Sequence, residues 1–465
     1  MPQPDQPSRH FDRSIVEGPI LRSVWKIAWP TMLQNIIAGL QGFIDHAMVG
    51  HFVGFRGNAA IGVSWQIFLV IFVFVSSIFI GMGTMVARFV GANEPEKVNR
   101  TVQQAFLTAV ALACFVLAPI GYFLAPSLLE FVNADPLVQK EALPYLRIML
   151  VFSVGLLLFF MLGGALRAAG DAKTPLRLGI LLTVLNIILN LVFIRGFGII
   201  PSFGTAGAGI GTAIASAIVG IVGVYYFFSG NLVIRFDRSM SWKPDFQIIR
   251  SLFRFGLPAG VQGVAMNVAG VLMLRFIGSL ENSAEAQAAY TVGYSQLFSL
   301  VTWSSVGLMG ATAAVVGQNL GAGNPERARS AVHKASLVGL TLAFCIGLAF
   351  FFVPGRLLSI FGIADPTVLN LGFELLRFLS ISGLFVTVAL AYTGGLQGSG
   401  DTRSPLYISL VSQIIIPVGF CWAAQSTTTL ASHHVWLAIL FGHFARAALS
   451  VARFRQGKWM EIRVE

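Results

Sequence analysis

The chain has 465 residues, of which 55% are hydrophobic, 12% aromatic and only 11% charged, with a formal net charge of +11. Soluble domains carry about 25% charged residues, so the chain lacks the ionisable side chains for a water-facing skin, and a mean hydropathy of +0.77 agrees. Disorder is excluded by the hydrophobicity, a disulfide scaffold by the presence of only Cys114, Cys345 and Cys421 in apolar runs, and the basic excess reads as membrane-loop topology rather than nucleic-acid binding.

The first twenty residues are polar and lack an apolar core, so no cleavable signal peptide is expected and residues 1–21 read as a cytoplasmic tail. A membrane helix needs about 20 mostly apolar residues. Twelve such runs follow, at roughly 22–49, 58–85, 101–125, 140–164, 176–198, 206–229, 250–277, 288–315, 332–353, 370–395, 406–425 and 430–452. Val70–Ile80 is apolar except for Ser76 and Ser77, where a barrel strand would alternate. The expected fold is therefore an all-α integral membrane protein. Of 31 Lys and Arg residues, 24 fall on the side of the two tails, Arg446 among them; five fall on the other, and Arg147 and Arg377 lie inside spans. That asymmetry predicts a plasma or inner membrane protein with both termini cytoplasmic.

The chain repeats itself. Gly91-Ala92 with Pro95-Glu96-Lys97 recurs as Gly321-Ala322 with Pro325-Glu326-Arg327, Asp135-Pro136 as Asp365-Pro366, and Gly170-Asp171 as Gly400-Asp401, all at an offset of 230. Pro30 answers Pro258 at 228. Six spans per half make this a parallel repeat about an axis along the membrane normal. The expected organisation is an N-lobe six-helix bundle at 22–229, a cytoplasmic linker at 230–249, a C-lobe bundle at 250–452 and a cytoplasmic tail at 453–465. Two matched lobes around a cleft suit an alternating-access transporter, and no filter-like segment suggests a channel.

The segments GFIDHAMVGHFVG at 42–54, VARFVGANEPEKV at 86–98, ALRAAGDAKTPL at 165–176, QNLGAGNPERAR at 318–329 and GLQGSGDTRSPL at 395–406 together resemble the multidrug and toxic compound extrusion (MATE) family. The resemblance implies a V-shaped cleft between two bundles and efflux of cationic or amphipathic drugs in antiport with protons or sodium ions. A lipid or lipid-linked sugar flippase of the same superfamily is the alternative. No metal-ligand cluster or nucleophile–base pair suggests an enzyme. Drug-like small molecules and the bilayer are the expected partners, without a cofactor, and the chain is expected to act as a monomer.

Asp45 is the only acid between Glu17 and Glu94 and lies within the first span. Gln34, Gln41 and Asp45 share one helical face, and so do Thr183, Asn186 and Asn190 in the fifth span. The resemblance puts Asp45, Asn186, Asn190 and Thr212 in one N-lobe cation-coupling pocket. Carboxylate, amide and hydroxyl oxygens suit a small hard cation. Burial of a carboxyl group in an apolar bundle equally suits proton exchange. Some relatives carry Asp where this chain has Asn190, and a single acid favours H⁺ over Na⁺. Gln262, Asn267 and Gln296 are candidates to line the C-lobe side of the cleft, with Tyr290, Tyr294 and Trp303 as stacking surfaces for a cation. Pro30 and Pro258 are hinge candidates or static kinks. The C-lobe spans have no acid in their apolar cores, so the C-lobe is expected to be an apolar and aromatic wall.

The topology is testable by labelling. Ser202→Cys and Ser241→Cys, in a cysteine-free background, should react with an impermeant maleimide from opposite sides of the membrane. Labelling of both from outside would overturn it.

Overall fold

The computed structural model describes residues 11–230, 232–237, 240–363, 365–427 and 429–464. The first ten residues of the tail and Arg238 of the linker, both used in the charge asymmetry, lie outside these. Twelve helical spans follow in order: α1 (Ile20–Phe52), α2 (Phe55–Gly91), α3 (Pro95–Phe131), α4 (Pro136–Val151 and Val154–Ala168, bent by 49°), α5 (Lys173–Arg195), α6 (Thr205–Phe228), α7 (Phe246–Gly278), α8 (Ser283–Gly321), α9 (Pro325–Phe352), α10 (Pro366–Ser399), α11 (Arg403–Thr427) and α12 (Ser432–Arg455). Ten are individually long and apolar enough to cross a membrane, and the bent α4 makes an eleventh. The 33-residue α1 has the length but is the more polar span, because it carries Gln34, Asn35, Gln41, Asp45 and His46.

Most of the repeated motifs prove to be helix punctuation. Asp135 and Asp365 each cap a helix, accepting from Leu137 N at 2.8 Å and from Thr367 N at 2.8 Å, with Pro136 and Pro366 in the first turn, where the missing N–H costs nothing. Gly170 and Gly400 end α4 and α10 at φ 97° and 99°, a left-handed conformation that glycine adopts without strain. The aspartates after them differ. Both cap the next helix, Asp171 accepting from Thr174 N at 3.0 Å and Asp401 from Ser404 N at 3.1 Å, but Asp401 also pairs with Arg453 at 2.9 Å.

The lobes meet at the end of the molecule that carries both termini. A Cβ on Gly91 of α2 would stand 1.9 Å from the Gln318 carbonyl oxygen of α8, and one on Gly321 would stand 2.0 Å from the Arg88 carbonyl oxygen. Each is the repeat partner of the other, so one contact is made twice about the pseudo-twofold axis. Further crossings are Thr84 Oγ1 to Gln397 O at 2.9 Å, Arg88 Nη2 to Ser399 O at 3.2 Å and Gln318 Nε2 to Ala168 O at 2.7 Å. Mid-span, Gly39 of α1 leaves room for the Trp303 ring of α8, which lies 5.8 Å from Phe43. Towards the far end the lobes separate. Gly42 and Gly270 have no neighbour where a Cβ would sit, and Val271 of α7 is 67% exposed. The result is a cleft closed at the terminal end, with Phe43 and Trp303 at its floor.

The tails reinforce the closed end. Arg327 of α9 in the C-lobe donates to Ile15 O at 3.4 Å and to Gly18 O before α1, while Arg88 in the N-lobe donates to Ile462 O in the C-terminal tail at 3.0 Å. The segment between α6 and α7 is packed rather than loose: Phe236 sits against Phe227 at 4.9 Å and against Phe106 of α3 at 5.9 Å, and Gln104 of α3 donates to Lys243 O at 3.1 Å.

Two expectations need correction. Several spans run further towards the terminal end than their apolar runs, to Gly91, Gly321 and Ser399, because Arg88, Gln318 and Gln397 are polar residues held between lobes rather than in loops. Arg446, grouped with the tail charges, lies inside α12 at 6% exposure.

The seam predicts a contrast within one helix. Gly91→Ala must push against a carbonyl of the other lobe, and overpacking costs about 1–3 kcal/mol. Gly83→Ala meets nothing within 4 Å. Gly91→Ala and Gly321→Ala should lower the Tm of the purified protein and reduce transport, and Gly83→Ala should change neither.

Candidate functional site

α1, α5 and α6 enclose the polar residues of the N-lobe. Glycines on α6 allow this: a Cβ on Gly207 would stand 2.3 Å from Phe193 O of α5, and one on Gly211 would stand 2.1 Å from Asn190 Oδ1. The Gly-rich opening of α6 is thus a close-packing surface. Asn186 and Asn190 face inward with no exposure at all.

Their hydrogen bonds diverge from Asn190. Asn190 Nδ2 donates to Asp45 Oδ1 at 2.8 Å and to Asn186 Oδ1 at 3.1 Å, Asn186 Nδ2 donates to Thr212 Oγ1 at 2.8 Å, and Thr212 Oγ1 donates to Ala208 O at 2.9 Å. One branch therefore ends on the carboxyl group of α1 and the other on a backbone carbonyl of α6. Hydrogen bonds that donate to a carboxylate favour its charged form, while removal from water disfavours it. Asn190 Oδ1 is sealed from solvent and accepts nothing. A buried amide oxygen without a donor is an acceptor available to a cation. Beside it, His46 Nδ1 lies 2.6 Å from Asn58 Oδ1.

The same face of α1 continues towards the terminal end. Thr183 Oγ1 donates to Gln41 Oε1 at 2.9 Å, and Arg167 Nη1 of α4 donates to Gln34 Oε1 at 3.2 Å. Gln34, Gln41, Asp45, Thr183, Asn186, Asn190 and Thr212 thus form one polar seam along the N-lobe interior. Arg167 and Gly211 are members that sequence reasoning missed. The signal for Gly211 was available in its spacing of four from Gly207, which puts both on the α5-facing side.

The C-lobe candidates do not converge in this way. Gln262 is buried and donates to Ser409 Oγ at 2.8 Å, so it ties α7 to α11 instead of lining an open cleft. Asn267 donates to Gly263 O of its own helix at 2.9 Å. Gln296 has a sealed, unpartnered Oε1. Tyr290 and Tyr294 stack at 4.9 Å and continue onto Trp436 and His443 of α12, inside the bundle. Trp303 sits at the cleft floor. Pro30 and Pro258 lie within unbroken helices, next to the seams with α8 and α2 respectively: a Cβ on Gly307 would meet Met32 Cα at 2.6 Å, and one on Gly256 would meet Ile78 Cα at 2.7 Å. Among the described residues, no three of His, Cys, Asp and Glu cluster as a metal site.

Comparison with known proteins agrees with this architecture. A family model described as MatE matches residues 30–192 and 258–423. A probable multidrug resistance protein NorM of Thermotoga maritima is 26% identical over 446 residues, 95% of this chain and 93% of that protein. A crystal structure of MATE in the straight conformation superposes with a TM-score of 0.88 at 20% identity, over 97% of this chain and 99% of that one. An outward-facing multidrug resistance MATE family transporter of the MOP superfamily gives 0.86 at 21% identity, over 98% and 100%.

The geometry around Gly211 yields a test that leaves every polar residue in place. Gly211→Ala should displace Asn190 from Asp45 and reproduce the loss of ion coupling expected for Asp45→Asn. Gly419→Ala on α11 has no neighbour within 4 Å and should transport normally. The measurement is dye efflux at matched expression.

Proposed function

The chain belongs to the MatE family, and from that premise we propose that it is a secondary active multidrug exporter that moves cationic or amphipathic molecules outward in exchange for protons. Its lobes span residues 22–229 and 250–452, its linker 230–249 lies in the cytoplasm together with the tails 1–21 and 453–465, and it works as a monomer in the cell membrane. Closure at the terminal end makes the described state outward-open in this orientation.

The observation that carries the reading is the hydrogen bond from the buried amide of Asn190 to Asp45, with Asn190 tied in turn to Asn186 and through it to Thr212. An intramembrane acid at the wall of a cleft costs about 2.5–3.5 kcal/mol on insertion scales, and its use is to change charge with conformation. Outside, Asp45 takes up a proton and lets a bound cation go. After the lobes rock, the proton leaves to the cytoplasm and the carboxylate is free to attract the next cation. This follows from the requirement that each ligand bind one state better than the other.

Protons are favoured over sodium by the oxygen inventory. Asn186 Oδ1 and Thr212 Oγ1 already accept hydrogen bonds, which leaves Asp45 and the free Asn190 Oδ1 for a metal ion. The flippase reading expects a basic cleft; here the polar wall of the N-lobe ends on an acid.

Everted membrane vesicles test the proposal. An interior-acid pH gradient should drive uptake of ethidium, and a sodium gradient at equal pH should not. Asp45→Asn, nearly isosteric but unable to titrate, should abolish the pH-driven uptake at equal expression. Sodium-driven uptake would reassign the ion, failure of both gradients would overturn antiport, and unchanged uptake by Asp45→Asn would reduce that acid to a solvated rim residue.

A further inference from the structure

α12 gathers its polar groups on one face. Trp436, His443, Arg446 and Ser450 are spaced 7, 3 and 4 apart, the repeat of a single helical stripe. The stripe points into the C-lobe, where the four residues are 0%, 4%, 6% and 0% exposed. Trp436 Nε1, His443 Nδ1, Arg446 Nε and Ser450 Oγ are all sealed from solvent without a hydrogen-bond partner. Ser382 Oγ of α10 is in the same condition. Phe298 of α8, 3.6 Å from where a Cβ on Gly383 of α10 would stand, stacks on His443 at 5.8 Å. Tyr294 lies against His443 at 6.3 Å, so the imidazole is flanked by two aromatic rings.

Among the described residues no acid answers the guanidinium, whose electrostatic neighbours are Tyr294 and His443. Glu374 accepts from Ser432 Oγ at 3.2 Å, at the opposite end of α12, and Asp401 is taken by Arg453 at 2.9 Å. The remaining C-lobe acids, Glu281, Glu285, Glu326 and Asp365, lie at helix starts or in loops. Buried polar groups are normally satisfied, and a buried charge without a counter-charge is a strong liability. Both shortages meet at Arg446, whose Nε is a donor without an acceptor and whose guanidinium is a cation without an acid beside it.

We propose that this stripe is an anion-binding subsite in the C-lobe, centred on Arg446 with His443 and Ser450 one turn to either side, that takes a carboxylate-sized anionic group. A planar guanidinium fits a carboxylate with two parallel hydrogen bonds, and one helical turn of about 5.4 Å brings a second donor within reach. The group is either the acid of a zwitterionic cargo or free chloride. The cargo arm rests on the exporter reading; the chloride arm does not.

The test uses the purified full-length protein in nanodiscs and two dyes that differ in one group: rhodamine B, a zwitterion with a carboxylate, and rhodamine B ethyl ester, a cation. If cargo supplies the anion, fluorescence polarisation should show the acid binding about tenfold tighter than the ester, the scale of a hydrogen bond to a charged group. Arg446→Gln should erase that preference. Should Arg446→Gln fail to fold, Arg446→Lys, which keeps the charge and loses the fork, should cut the preference several-fold, and Ser450→Ala should weaken it. If chloride is the occupant, replacing it by methanesulfonate should lower the Tm of the native protein and leave that of Arg446→Gln unchanged. The subsite is overturned if acid and ester bind alike and chloride has no effect, or if either difference survives in Arg446→Gln. Ethidium efflux measured alongside separates the two readings: normal efflux without any anion effect sinks the subsite alone, and a chloride shift without efflux sinks the exporter alone.

Discussion

The closed end of the cleft depends on backbone touching backbone at Gly91 and Gly321. In lipid there is little hydrophobic gain from joining two apolar surfaces, so association relies on close van der Waals contact and interhelical hydrogen bonds. Small residues supply the first; Arg88, Thr84 and Gln318 supply the second. Because the two glycines are copies of one ancestral position, the contact is doubled by symmetry. Everything further out is set by this joint: the lobes diverge beyond Gly39, and the polar face of α1 looks into its own bundle beside an open cleft.

The N-lobe site was largely legible in the sequence, because intramembrane polar residues are rare and their helical spacing reveals which share a face. Asp45, Asn190 and Asn186 meet as their spacing and the family resemblance implied. The repeat motifs were legible as positions and misleading as chemistry. Asp171 and Asp401 occupy equivalent places and both cap the next helix, yet Asp401 also holds Arg453, and no pattern in the motif announces that second role. The C-lobe was misread for a physical reason. Arg446 is the first basic residue of a run leading into the C-terminal tail, and linear proximity to Arg453 and Arg455 hides that it lies two helical turns further inside the bundle.

Duplication followed by divergence has left the lobes with opposite electrostatic characters. The N-lobe interior sets an acid, Asp45, against a buried amide, and the C-lobe interior surrounds a guanidinium with no acid beside it. The two bundle interiors therefore carry opposite formal charges on either side of the joint.

Each end of the chain is rooted beside one lobe and held by the other. The C-terminal tail is anchored in the C-lobe by Trp459, stacked on Phe454 at 4.5 Å, and three residues later its Ile462 carbonyl is held by Arg88 of the N-lobe. The N-terminal segment leads into α1 and is held by Arg327 of the C-lobe. Parting the lobes at this end therefore means unbuckling two straps that run in opposite directions across the same joint. Neither strap includes Asp45, Asn186, Asn190 or Thr212, so the grip on the joint and the polar cluster of the N-lobe are written in separate parts of the chain. A change in either tail alters how firmly the two bundles are buckled together and leaves that cluster in place.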